Sequence, residues 1–252
     1  MTEMIIFQKL FLVSVYLLKR LPWRILYFIS DLIALVLYYI VGYRKKVVYE
    51  NLTNSFPDKS KKEIKKIAHQ YYRHLADIMI ETICEEKIMP NFKRHMIFKN
   101  QELLHQLYKT GKSILMVGGH VGNWEWIGIT VQPMGPFKAK GVIKPLSDPF
   151  FNDYIENLRS KYSSGVIPFL RTLRVMAASR DQQFVYMLAN DQTPHRDEIR
   201  FWTDFLNQPT PVFLGTEKIA KLLDMPVIFS NCYRVKRGVY EIELILITET
   251  PK

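Results

Sequence analysis

Two apolar stretches open the chain. Residues 4–18 are apolar apart from Gln8, Lys9 and Ser14, and residues 25–42 read ILYFISDLIALVLYYIVG, with Asp31 as the only charge. Between them Lys19-Arg20-Leu21-Pro22-Trp23-Arg24 forms a basic break carrying an aromatic residue suited to a membrane interface. Eighteen residues in a helix span about 27 Å, close to the hydrocarbon thickness of a bilayer. A cleaved secretory signal would end in small residues, and Tyr38-Tyr39-Ile40-Val41-Gly42 does not supply them. The segment 1–42 is therefore expected to stay attached as a membrane anchor, spanning the bilayer or lying in its interface. Asp31 weighs towards a core helix instead, because a carboxylate at mid-depth is costly. Tyr43-Arg44-Lys45-Lys46 follows directly, and the positive-inside tendency places the remaining chain in the cytoplasm.

The pattern then changes. Ser60-Lys61-Lys62-Glu63 has the form of a capping box. Ile64, Ile67, Ala68, Tyr71, Leu75, Ile78 and Met79 follow at helical spacing. From residue 100 onward, short apolar runs alternate with helical patterns. Strands are expected at 113–117, 141–144, 166–169, 184–189, 226–233 and 240–247. Helices are expected at 123–132, 148–162, 171–180 and 215–223, with a long loop after 189. Such alternation predicts an α/β sheet with helices on its faces. The two parts are the anchor, 1–42, and one domain over 43–252.

Composition narrows the class. An apolar content of 48% and a charged content of 23% fit a folded chain and argue against disorder. The net charge of +11 suits nucleic acid, an anionic membrane or a phosphate-bearing small molecule, if it is more than a solvated face. No aromatic-basic interleaving or nucleic-acid-binding motif is visible, which leaves the latter two. Cys84 and Cys232 are far apart in sequence, so neither a metal site nor a disulfide framework is expected. The sequon Asn51-Leu52-Thr53 carries meaning only in a secreted chain.

The sharpest chemistry lies in Gly118-Gly119-His120-Val121-Gly122-Asn123-Trp124-Glu125, where a strand ends and a helix begins. On one continuous helix His120 and Glu125 would point roughly 140° apart, at about 100° per residue. They meet only if His120 occupies the turn and Glu125 the first helical turn, where the helix dipole favours a carboxylate. A carboxylate on one imidazole nitrogen fixes the tautomer and leaves the other to take a proton from an alcohol. The alternative is a histidine that satisfies a turn. A second polar segment, Asn190-Asp191-Gln192-Thr193-Pro194, follows an apolar strand and is either part of the same site or a plain turn. Arg159 and Arg174 fall on or near candidate helices, where they can bind phosphate or an oxyanion or stand as surface charges. Thr110-Gly111-Lys112-Ser113 ends like a P-loop, but Gln106 stands in place of its first glycine and the segment precedes its strand. Neither HExxH nor GxSxG occurs.

Taken in order, these segments resemble the bacterial lipid A biosynthesis (lauroyl/myristoyl) acyltransferases. The likeness runs through Tyr43-Arg44-Lys45-Lys46-Val47-Val48, Asn51-Leu52, Phe56-Pro57, the His-x4-acid pair, Lys144-Pro145-Leu146 to Arg159, Asp191-Gln192, Gly215 to Val227, and Arg234 with Gly238-Val239-Tyr240. The resemblance implies a three-layer, glycerolipid-acyltransferase-like α/β fold on the cytoplasmic face of the inner membrane. The donor would be an acyl-acyl carrier protein or acyl-CoA and the acceptor a lipid A precursor, with no other cofactor and no metal. His120 would act as base and Glu125 as its orienting partner. Arg159, Asp191, Gln192, Lys144, Arg174 and Gly119 would bind substrate or support the oxyanion. Lys144 stands where the family usually has arginine, and Asn207 replaces a common glycine. The family's terminal helical part does not follow before Lys252. A short member or a truncated chain is expected. Two other functions stay open: acylation of another membrane lipid, such as an amino-acid lipid or phosphoglycolipid, and lipid binding without catalysis.

Overall fold

The computed structural model describes residues 2–251. In chain order its elements begin with α1 (Thr2–Leu18), α2 (Trp23–Leu35), α3 (Lys45–Ser55) and α4 (Lys61–Ile83). Then come β1 (Met96–Phe98), α5 (Glu102–Tyr108), β2 (Ile114–Gly118), α6 (Trp124–Met134), β3 (Lys138–Ile143), α7 (Pro149–Ser160) and β4 (Val166–Pro168). The remainder is α8 (Thr172–Ala178), β5 (Phe184–Ala189), β6 (Trp202–Phe205), β7 (Gln208–Pro211), α9 (Gly215–Leu223), β8 (Val227–Lys236) and β9 (Val239–Thr248). The chain forms two compact units, one of Met1–Ile88 with Trp202–Thr210, the other of Met89–Phe201 with Pro211–Lys252.

The first unit is helical apart from the β6–β7 hairpin. α2 continues through a π-helical turn, Val36–Val41, so that Trp23–Val41 is long and apolar enough to cross a membrane. Two polarities share this helix. Along one side Tyr27 donates to Glu81 (2.9 Å), Ser30 to Asp77 (2.6 Å), and Asp31 pairs with Arg73 (3.3 Å), all three partners lying on α4. Ile25, Phe28, Leu32, Leu35, Tyr39 and Ile40 are exposed. The charge that looks costly in the sequence therefore lies on the α4 side, with a guanidinium against it. α4 starts with the expected capping box: Ser60 Oγ accepts from Glu63 N–H, and the Glu63 carboxylate accepts from Ser60 N–H (2.9 Å). At the end of α2, Gly42 and Arg44 both adopt left-handed backbone (φ 62° and 50°), which turns the chain sharply into α3. Tyr72 on α4 donates to the Tyr43 carbonyl (2.6 Å) and holds that turn. The sequence pattern gave no signal for α3.

The second unit holds an α/β sheet, the class that the alternating pattern predicts. Its seven-stranded sheet has the order β1-β9-β8-β2-β5-β3-β4 and is parallel except for the β8–β9 pair. Side chains alternate across each strand. One face carries Leu115, Tyr186, Phe184, Ile167 and Val227, and these pack with Met176 of α8 and Ala220 of α9 into one apolar cluster. On the other face Trp126 of α6 lies edge-on to Tyr240 (centroids 5.8 Å apart) and to His95 (5.7 Å). Helices thus cover both sides of the sheet, as the alternation predicts. β1 and α5 lie where the pattern gave no elements.

Candidate active site

β2 and β5 are adjacent parallel strands in register, Gly118 opposite Ala189. One further rung, Asn190 N–H to the Gly118 carbonyl (2.9 Å), carries the pairing past the strand ends. Residues two positions beyond each strand then come together: His120 and Asp191. The His120 backbone N–H donates to Asp191 Oδ2 (2.6 Å), and ring Nδ1 lies 2.7 Å from Asp191 Oδ1. A carboxylate is acceptor-only, so Nδ1 carries a proton, and in the neutral ring Nε2 is the nitrogen with the lone pair. The His120 side chain is 35% exposed and that of Asp191 41%, open enough to meet a substrate. Gly119 makes the approach possible, since a Cβ there would stand 3.0 Å from Asp191 Oδ2. Thr216 donates to Asn190 Oδ1 (3.0 Å) and ties the second loop to α9.

Gly122 turns the chain from the His120 loop into α6. It has φ 63°, and a Cβ would fall 2.4 Å from Cys232 Sγ, so only glycine fits. Asn123 caps the helix by accepting from Trp126 N–H (2.9 Å). Glu125 therefore sits in the first turn of α6, as expected from the sequence. Its partner differs from the expected one. Arg159, near the end of α7, donates Nε to Oε2 (2.9 Å) and Nη2 to Oε1 (2.6 Å) in a bidentate fork, and Trp124 Nε1 adds a third donor (3.1 Å). The Glu125 side chain is only 12% exposed, so this charge pair is shielded from water more than a surface pair is. α7 is aimed by its own start, where Asp148 accepts from Phe151 N–H (3.0 Å) and Pro149 occupies the first turn.

The hydrogen bond expected between His120 and Glu125 is thus replaced by two pairs, His120–Asp191 and Glu125–Arg159. The Trp124 ring bridges them, edge-on to the imidazole at 5.1 Å between centroids and bonded to Glu125. The reason is register. The helix cap at Asn123 separates the turn holding His120 from the turn holding Glu125, whereas the β2–β5 ladder brings Asp191 to the imidazole. Asp191 was legible as part of a second polar segment, but strand adjacency carries no signal in a single sequence. The His120 N–H, occupied by Asp191, is not free to serve as an oxyanion donor.

The other expected residues take no part in the hydrogen bonds of these pairs. Lys144 is exposed one residue beyond β3, Gln192 is exposed beside Asp191, and Arg174 is exposed on α8. Among the described residues, no group of His, Cys, Asp and Glu is arranged to hold a metal ion. Burial raises the Cys232 thiol to about 11, which removes it as a nucleophile at neutral pH.

Residues 2–247 match the family model described as bacterial lipid A biosynthesis acyltransferase, and no match was found among curated proteins. The chain belongs to that family of acyltransferases.

Proposed function

We propose that this member of the lipid A acyltransferase family transfers a fatty acyl group from a thioester to a hydroxyl of a lipid A-type glycolipid, with His120 as the general base. The observation that supports this most is the imidazole whose Nδ1 proton is fixed by Asp191, which leaves Nε2 basic beside partly open surface. His120 Nε2 takes the hydroxyl proton as the acceptor oxygen attacks the thioester carbon. The tetrahedral intermediate then collapses, the C–S bond breaks, and the proton on the imidazole passes to the departing thiolate. No protein nucleophile is needed. Asp191 positions the ring and stabilises its transient positive charge, the orienting role the sequence assigned to Glu125. Glu125 in turn aims the Arg159 guanidinium, a fixed cation for the carbonyl oxyanion or an acceptor phosphate.

The donor in this reading is an acyl-acyl carrier protein or acyl-CoA. The working place is the cytoplasmic face of the inner membrane, held there by the exposed apolar sides of α1 and α2. Purified protein in lipid vesicles, given labelled acyl-acyl carrier protein and a lipid A precursor, is expected to move label to the glycolipid. Mass spectrometry of lipids from cells with and without the protein should show one acyl increment missing from lipid A. An increment missing from another membrane lipid instead would reject the glycolipid acceptor.

A further inference from the structure

The β6–β7 hairpin has an unusual surface. Trp202, Phe205 and Leu206 are 56%, 60% and 49% exposed, three large apolar side chains turned to solvent along one short hairpin. The two-residue turn is Leu206-Asn207, with φ 51° and 59°. A turn of this kind favours Asn-Gly, Asp-Gly or Gly-Gly. A leucine there strains the backbone, and about half of its side chain still faces solvent. Apolar side chains held at exposed and strained positions point to a contact outside the chain.

The hairpin's own anchorage identifies the partner. Asn54 donates to Gln208 Oε1 (3.0 Å) and Asn207 donates to the Ser55 carbonyl (3.3 Å), so the turn is fastened to the end of α3. α3 starts four residues after the apolar helix ends at Val41. The left-handed pair Gly42 and Arg44 bends the chain between them, so α3 does not prolong the axis of that helix. At eleven residues α3 is about 16 Å long, which keeps the hairpin within the reach of one bilayer surface. The surrounding stretch 44–66 carries eight Lys and Arg against three Asp and Glu. Basic side chains around tryptophan and phenylalanine suit anionic headgroups overlying acyl chains.

We infer that the β6–β7 hairpin is a second membrane contact, with Trp202, Phe205 and Leu206 entering the headgroup–acyl boundary of an anionic bilayer beside the basic α3–α4 connection. This inference rests on the membrane reading above, and tryptophan quenching separates the two. The full chain is placed in phosphatidylglycerol-containing vesicles whose acyl chains carry bromine just below the headgroups. The Trp202 signal is the difference between the unmodified chain and Trp202→Phe, and the Trp23 signal is obtained likewise from Trp23→Phe. Both signals are expected to lose most of their intensity. Quenching of Trp23 with an unquenched Trp202 overturns the hairpin contact and leaves the anchor standing. Failure of both signals overturns the two together. A Trp202 signal that shifts only on adding acyl carrier protein, without response to brominated lipid, also overturns the inference.

Discussion

At the residue scale the site consists of two charge-assisted pairs, and each makes a different prediction. Asp191 holds His120 through two atoms, the ring Nδ1 and the backbone N–H. Gly119→Ala would press a methyl group on the carboxylate, 3.0 Å from Oδ2, without removing any polar atom. Transfer activity should fall about tenfold or more while the melting temperature moves little, because the cost lies in a misplaced orienting group. Arg159→Lys keeps the charge but loses the bidentate fork to Glu125. Steady-state kinetics should show the acceptor KM rising more than kcat falls. The sequence marked all four residues of the two pairs as candidates. It mispaired them, because five-residue spacing is visible in a chain and the β2–β5 register is not.

At the scale of elements, the helices and strands with strong apolar periodicity were legible, and the exceptions have physical reasons. The start of α4 was readable because Ser60 and Glu63 are chemically committed to a cap. α3 was missed because KKVVYENLTNS mixes β-branched, polar and cap-forming residues and buries none of them. β1 is only three residues long. The hairpin was read as loop because its turn is Leu206-Asn207, without the glycine that signals such a turn. Gly122 is the most demanding link between elements. Gly122→Ala combines a left-handed φ with a clash against Cys232, and should cost about 2–4 kcal/mol, seen as a lower urea midpoint. The same packing protects the Cys232 thiol, raised to about 11 by burial. An alkylating reagent at pH 8 is expected to leave it intact in the folded protein and to modify it in urea. Rapid modification of the folded chain would contradict the close seat of α6 on β8.

For the whole molecule, the α/β class and the apolar amino-terminal helices were legible, since both rest on composition and period. The sequence did not reveal that the apolar helix has two unlike sides. Tyr27, Ser30 and Asp31 meet α4 while Phe28, Leu32 and Tyr39 face outward. A helix with a polar partner along its length is suited to lying with one side in lipid, so exposed apolar positions should be the sensitive ones. Phe28→Ser with Leu32→Ser should release protein from vesicles in a flotation assay, with little loss of helix content, because both side chains are already exposed.

In the proposed reaction one carboxylate, Asp191 or Glu125, orients the base. The direct measurement is kcat for acyl transfer by Asp191→Asn and Glu125→Gln, compared under saturating donor and acceptor. The proposed mechanism predicts that Asp191→Asn lowers kcat about 100-fold, through loss of the oriented imidazole, and that Glu125→Gln lowers it only about tenfold. The reverse order, with Asp191→Asn nearly as active as the unmodified chain, would contradict it.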